Sequence, residues 1–474
     1  MANYDSVNSV TASSMSSYDS VNDGSIYSIN GVLRPSTVPR LLTFAQGVYS
    51  FLDFPLSDSQ ATNITTLKDN QTTTHDDFHD PRQVIYGKDG SGNPIYAATT
   101  QTAHELAYTI TPDNVAAKAE WSEVTNPDYH SLCSDDAVDP CRKLYALGWG
   151  NDVWVATTNS LGTFDESGVT YTFYDGSTGP GPFLFRSTDG LATMDKISLA
   201  HLTNLPSTAN GGVGGANNTV ITALTTDGEG NWWFGVGKYI FKSTDDGLTW
   251  SEEHSIIIGG GNYDDEGCGI KGLVITNSIL VCVYGYNDGS VSESRVICAP
   301  TSNTSSGWGP TLRLVDLTGA GTQPESYIPV AGDPISLNGE HTARSLQGDG
   351  YGMRIAAAAG RVCVCDQNYV AAFDVSESGG SAAAAFVGPV TRLRRSTSST
   401  SSTDLTSIVT DGEGTWYVAS KGSTERMGHY PKHLGRIYRS TDNGVTWTLP
   451  VGNDTSDDYG KKILALSMGV HLPL

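Results

Sequence analysis

Any chemistry in this chain must come from its carboxylates and a few histidines. The segment His75-Asp76-Asp77-Phe78-His79-Asp80 sets two imidazoles four residues apart among acidic side chains. That donor set suits a divalent metal, and on a helix both histidines would share one face. Nothing around the segment patterns as a helix, so it reads as a solvated loop. The acidic runs Asp264-Asp265-Glu266 and Asp457-Asp458 lack the alternating ligand spacing of a calcium loop. Glu229 and Glu413 recur at matching positions inside Thr226-Asp227-Gly228-Glu229-Gly230-Asn231-Trp232-Trp233 and Thr410-Asp411-Gly412-Glu413-Gly414-Thr415-Trp416-Tyr417. A carboxylate repeated within a glycine turn reads as turn structure. Two carboxyls facing each other across a cleft can cleave a glycosidic bond, but no spacing among the 51 Asp and Glu singles out such a pair. No Ser/His/Asp grouping, phosphate loop or nucleotide fingerprint stands out. No catalytic residue, metal site or cofactor is therefore expected.

The elements that would position such residues are short strands. The chain has 474 residues, 38% hydrophobic, 53 Gly and only 17% charged residues. That composition is globular, turn-rich and β-rich. A length beyond one ordinary domain fits a repeat architecture, in which each unit adds its own slice of core. The net charge of -23 repels nucleic-acid phosphates and anionic lipid, so neither is an expected partner. The basic knot Arg392-Leu393-Arg394-Arg395 reads as a local salt-bridge partner. No apolar window reaches the roughly 20 residues of a membrane helix. The Met1-Ala2-Asn3-Tyr4-Asp5-Ser6 start carries neither the basic nor the apolar region of a signal peptide, so synthesis in a cytoplasm is expected. Of seven Cys, Cys363 and Cys365 flank Val364 in a strand-like run and point to one face; with Cys282 and Cys298 they read as buried small hydrophobes. Cys133 and Cys141 bracket a short acidic loop and could be bridged or free.

Three stretches repeat one eight-residue pattern: Ser187-Thr188-Asp189-Gly190-Leu191-Ala192-Thr193-Met194, Ser243-Thr244-Asp245-Asp246-Gly247-Leu248-Thr249-Trp250 and Ser440-Thr441-Asp442-Asn443-Gly444-Val445-Thr446-Trp447. Each follows an aromatic-basic pair: Phe185-Arg186, Phe241-Lys242 and Tyr438-Arg439. The Asp can accept backbone N–H groups of its own turn. The Gly takes a backbone conformation costly to other residues. Trp250 and Trp447 can bury a large surface between neighbouring units. The first copy lacks the Gly at its fifth position and the Trp at its eighth.

This pattern resembles the Asp-box, or BNR, repeat of sialidase-like β-propellers. That family also includes xyloglucanase-type glycosidases, photosystem assembly factors and bacteriophage tail proteins. The resemblance implies an all-β fold, a single propeller of six or seven blades. Its structural turn residues would be Ser187, Asp189, Ser243, Asp245, Gly247, Trp250, Ser440, Asp442, Gly444 and Trp447. A sialidase site would need an arginine triad and an Arg-Ile-Pro signature; the nearest text, Val38-Pro39-Arg40-Leu41, has its proline on the wrong side. The family is functionally mixed, so the motif sets architecture and leaves activity open.

Residues 1–26 read as an extended polar arm in which Tyr4-Asp5-Ser6-Val7-Asn8 recurs as Tyr18-Asp19-Ser20-Val21-Asn22. Tyr4 and Tyr18 are its candidate assembly anchors. Residues 27–474 read as the propeller. Its chain ends in a lone strand, so 27–54 and 461–474 are expected to complete the closing blade together. The leading functional expectation is a structural component of a virion, a bacteriophage tail protein in the tube, nozzle, hub or fibre-docking position. Its partners would be other tail subunits and further copies of itself, with a host-surface glycan as another candidate. Alternatives are a glycoside hydrolase or lyase acting on surface polysaccharide, and a non-catalytic carbohydrate-binding or assembly-factor propeller.

Overall fold

The computed structural model describes residues 81–100, 108–111, 122–124, 144–158, 171–179, 183–202, 205, 221, 223–257, 269–287, 292–313, 355–365, 369–388, 391–393, 405–420, 424–427, 430–433, 436–451 and 463–469, together with short strands within 6–52. Six antiparallel sheets follow one another along the chain. Sheet I holds Pro81–Lys88, Pro94–Thr100, Tyr108–Ile110 and Ser122–Glu123. Sheet II holds Leu144–Gly150, Val153–Thr158, Phe183–Ser187 and Asp195–Ser198. Sheet III holds Ala223–Thr226, Trp232–Val236, Tyr239–Ser243 and Ser251–Ser255. Sheet IV holds Gly269–Thr276, Ile279–Asn287, Ser292–Pro300 and Leu312–Arg313. Sheet V holds Ile355–Ala358, Arg361–Cys365, Tyr369–Ser378 and Ser381–Phe386, with Thr391–Arg392 added beside the third strand. Sheet VI holds Leu405–Thr410, Trp416–Ser420, Arg436–Ser440 and Thr448–Val451. In sheet VII, Ile463–Gly469 pairs with Arg40–Ala45, which pairs with Val48–Leu52.

The second and third strands of sheets II to VI are buried on both faces, which explains their near-continuous apolar text. Trp232 and Phe234 pack with Val153, Val155 and Leu184 of sheet II. Their neighbour Trp233, on the other face, packs with Ile270, Leu280 and Cys282 of sheet IV. Val281 and Val283 meet Val362, Val364 and Phe373 of sheet V. Cys363 and Cys365 turn the other way, towards Trp416, Val418 and Tyr438 of sheet VI. The four described cysteines are buried and unbridged; Cys133 and Cys141 lie outside the described residues. Sheets stacked face to face in this order have the shape of a β-propeller. The leading strand of each of sheets I to V lies against the leading strand of the next. Ile463–Gly469 lies against the leading strands of sheets VI and I.

Sheet-to-sheet contact is tight enough to select residue size. Gly87 lies where a Cβ would come 2.4 Å from the Trp154 ring and 2.6 Å from Trp149, both in sheet II. Trp154 Nε1 then donates to the Lys88 carbonyl at 2.8 Å.

Because antiparallel strands alternate in direction, the first-to-second and third-to-fourth connections of a sheet share one end. At that end the first-to-second turns are two or five residues long, as at Asn151-Asp152, Asn277-Ser278 and 411–415. Asn151, Asp152, Asn277 and Ser278 all have left-handed φ, between 47° and 57°, as a two-residue hairpin demands. The long connections, 159–182, 421–435 and those between sheets, leave from the opposite end. Within 421–435 the chain forms the small hairpin Thr424–Met427 with Tyr430–His433. Of the expected arm, only Ser6–Val7 and Val10–Thr11 are described, as a two-strand pair. No helix among the described residues is long and apolar enough to cross a membrane.

Gly87→Ala is expected to destabilise the fold by about 1–3 kcal/mol through overpacking against two tryptophans. Urea unfolding followed by tryptophan fluorescence measures it; an unchanged midpoint would show that sheets I and II are not in contact there.

Candidate functional site

The repeated polar residues of the chain converge on the short-turn end. In each eight-residue element the Ser hydroxyl donates to the Asp carboxylate and accepts an N–H four residues on. Ser243 Oγ donates to Asp245 at 2.8 Å and accepts from Gly247 N at 2.9 Å. Thr249 donates to Asp245 twice, from its N–H at 2.8 Å and its hydroxyl at 2.7 Å. Ser440, Asp442, Gly444 and Thr446 repeat these contacts, as do Ser187, Asp189, Leu191 and Thr193. Trp250 Nε1 donates to the Gly247 carbonyl at 3.0 Å, and Trp447 Nε1 to that of Gly444 at 3.1 Å. Both indoles lie in the core shared with the preceding sheet.

Asp246 and Gly247 both have left-handed φ, 58° and 81°, and Asn443 and Gly444 follow them at 62° and 85°. Gly444 is also pressed by a neighbour, since a Cβ there would lie 2.5 Å from the Cys363 thiol of sheet V. In the first copy the glycine comes one place earlier. Gly190 and Leu191 take φ of 72° and 73°. For Leu191 that backbone costs about 1–2 kcal/mol, opposed by burial of its side chain.

The basic residues of the first two aromatic-basic pairs act between sheets. Arg186 Nε of sheet II donates at 2.7 Å to the carbonyl of Asp246, in the turn of sheet III. Lys242 Nζ of sheet III reaches the Thr301 carbonyl of sheet IV at 3.5 Å, its charge 5.1 Å above the Trp233 ring. Arg439 holds the same register, opposite Tyr417, that Lys242 holds opposite Trp233. In sheet V, Arg361 takes this role from a different strand and donates to the Asn443 carbonyl of sheet VI. Asn151 adds a bond from its side-chain amide to Asp246 Oδ1 at 2.9 Å. Each tether therefore ends on the turn of the following sheet.

Two regularities escaped sequence reading. The turn around Glu229 and Glu413 has a third copy, Asp89-Gly90-Ser91-Gly92-Asn93. Asp89, Asp227 and Asp411 each accept backbone N–H groups two and four residues ahead. The signal was present as Asp-Gly-x-Gly, with Ser91 where the other copies have Glu. Glu229 and Glu413 are exposed at the tips of their turns. Also, Trp154, Trp232 and Trp416 stand directly opposite Ser187, Ser243 and Ser440. Register alone relates these pairs, which lie 33, 11 and 24 residues apart.

Burial raises each turn carboxyl, but the hydrogen bonds outweigh it. Asp189, Asp245 and Asp442 are thereby held below the usual carboxylate range, as is Asp89. Burial pushes the Cys298 thiol up to about 12, and raises Cys282 and Cys363 well above their ordinary range. Those thiols stay protonated and unreactive. Among the described residues, no group of three or more His, Cys, Asp or Glu is placed to hold a metal ion. Tyr4, Tyr18, the 75–80 segment and the acidic runs at 264–266 and 457–458 lie outside the described residues.

No protein-family model matches the chain, and no curated protein matches it. Solved structures are similar in shape only. PorZ, an essential bacterial surface component of the type-IX secretion system of Porphyromonas gingivalis, is 11% identical with a TM-score of 0.42; the match covers 81% of this chain and 44% of PorZ. The chain thus spans less than half the length of that protein. The N-terminal domain of Nup159 is 9% identical, with a TM-score of 0.39 over 80% of this chain and 82% of that one. An α-L-arabinanase of Penicillium chrysogenum is 14% identical, with a TM-score of 0.33 over 69% and 93%.

A carboxyl whose folded pKa is depressed stabilises the fold above its unfolded pKa, and that contribution is lost as pH falls through the folded value. Stability is therefore expected to decline below about pH 4. Asp245→Asn should lower the urea midpoint at neutral pH, and its gap from wild type should shrink as pH drops. A gap independent of pH would show that the Asp245 charge is not held by its turn.

Proposed function

We propose that this chain is a non-catalytic, seven-bladed Asp-box propeller that serves as a rigid structural component, with a bacteriophage tail as its setting. Sheets I to VI are the first six blades, and sheet VII, drawn from both ends of the chain, is the seventh. The observation that carries this reading is where the repeated polar groups are used. Ser243, Asp245 and Thr249 are turned on one another within their turn, and Arg186 and Arg361 hold one blade to the next. A surface built this way resists deformation and offers a fixed platform. The long connections leave from the opposite end, where partner contacts are placed on such scaffolds. The arm, residues 1–26, reaches a neighbouring subunit through Tyr4 and Tyr18.

Gradient fractionation of cultures producing the chain tests this. We expect it to sediment with assembled particles at a fixed copy number by quantitative mass spectrometry. Deleting residues 1–26 should abolish that sedimentation and leave the thermal unfolding midpoint in place. A chain that stays at the top of the gradient and releases sugar from surface polysaccharide would overturn the reading in favour of a glycosidase.

A further inference from the structure

In sheets II, III and VI the connection from third to fourth strand carries the eight-residue element. In sheet IV that place is taken by Thr301-Ser302-Asn303-Thr304-Ser305-Ser306-Gly307-Trp308. Thr301, Asn303 and Trp308 stand where the element has Ser, Asp and Trp. Trp308 Nε1 donates to the Thr304 carbonyl at 2.7 Å, much as Trp250 does to Gly247. Its ring packs on the core shared with sheet III. The chemistry differs at the third position. Asn303 is neutral and accepts from Ser306 Oγ at 2.9 Å. The carboxylate at this turn comes from the preceding sheet: the buried Thr304 hydroxyl donates to Glu253 and accepts from Trp233 Nε1 at 3.4 Å.

Glu253 is the extra residue of a bulge in Ser251–Ser255, since Phe241 stands opposite Glu252 and Ile240 opposite His254. A bulge re-aims side chains, and here Glu253 and His254 both meet the 301–308 turn. The half-buried His254 ring stacks on Trp308, with centroids 4.8 Å apart and planes 23° from parallel. It is also hydrogen-bonded to the Ser305 backbone. The far side of the segment lies on sheet V. Ala382 N–H donates to the Gly307 carbonyl at 3.3 Å, and a Cβ at Gly309 would lie 1.7 Å from the Ala382 carbonyl oxygen. Residues 301–309 thus strap sheets III, IV and V together at the short-turn end.

We propose that this strap is pH-sensitive, and that protonation of His254 loosens its hold on sheet III. A charge on a ring pressed against an indole loses hydration there. The strap itself has no ionisable side chain, and neither has Ser381–Phe386 beneath it. Glu253 and Glu252 act on His254 from its own strand. Lys242, on the neighbouring strand, reaches the Thr301 carbonyl above Trp233. Cys282 and Tyr284 of the same core are raised by burial and stay neutral. Burial of the ring outweighs the Ser305 bond and the two glutamates, and holds His254 below its ordinary range. Such a group stabilises the fold above its unfolded pKa of 6.5, and that contribution is lost as pH falls through the folded value. The window lies above the one in which the turn carboxylates titrate. The inference goes beyond the structural reading above and does not depend on it.

Amide hydrogen exchange of the full chain at about pH 7.5 and about pH 5.5, corrected for intrinsic rates, tests it. The Thr301, Gly307 and Gly309 amides, bonded to the carbonyls of Ser278, Asn303 and Cys298, should lose protection several-fold at the lower pH. The Asn443 amide, bonded to Gly414, should keep its own. His254→Phe leaves a flat ring against Trp308 and cannot titrate, so its strap should be equally protected at both values. If that variant misfolds, His254→Gln, which cannot titrate either, carries the comparison. Equal protection of the wild-type strap at both values, a loss shared by Asn443, or a loss that persists in the folded variant overturns the proposal.

Discussion

Sheets II to VI are apolar on both faces, and that constraint governs the rest. Trp232 faces one neighbour and Trp233 the other. A sheet built so cannot be stable alone, because either face left in water would expose large aromatic surface. Two flanking sheets are therefore required for each sheet built this way. The pairing of Ile463–Gly469 with Arg40–Ala45 brings the two ends of the chain together. Polar contacts come second in this hierarchy. The turn at Asp245 shapes a hairpin, and the Arg186 tether fixes how far that hairpin leans on its neighbour.

The turn and the tether answer one physical problem. Adjacent left-handed residues leave carbonyls directed away from their own strands. An unpaired carbonyl at a close contact between sheets is costly. A guanidinium from the preceding sheet supplies the donor, for Asp246 from Arg186 and for Asn443 from Arg361. Arg186 of the first aromatic-basic pair and Asp246 at left-handed φ are thus two halves of one interaction across sheets.

Much of the architecture was legible in the sequence because its signals are local. Asn151-Asp152 and Asn277-Ser278 announce hairpins, and the repeated Ser-x-Asp turns carry their own hydrogen bonds. What stayed hidden depends on register or on neighbours. Trp154 opposite Ser187 is separated from it by a long insertion, so no spacing rule links the pair. Arg361 does the work of Arg186 from another strand, and it precedes no eight-residue element. The alanine strand Ser381–Phe386 has little side-chain pattern to read; its pairing follows from the turn that precedes it.

The claim on which the account rests is that the chain ends meet in one sheet. Paired cysteine substitution tests it most directly. In the register of that sheet Leu42 stands opposite Ser467, and Leu41 opposite Met468. We predict that under mild oxidation the natively folded double variant Leu42→Cys/Ser467→Cys, or its neighbour Leu41→Cys/Met468→Cys, forms an intramolecular disulfide, identified by peptide mass spectrometry. Free thiols at both positions in both folded variants would contradict the account.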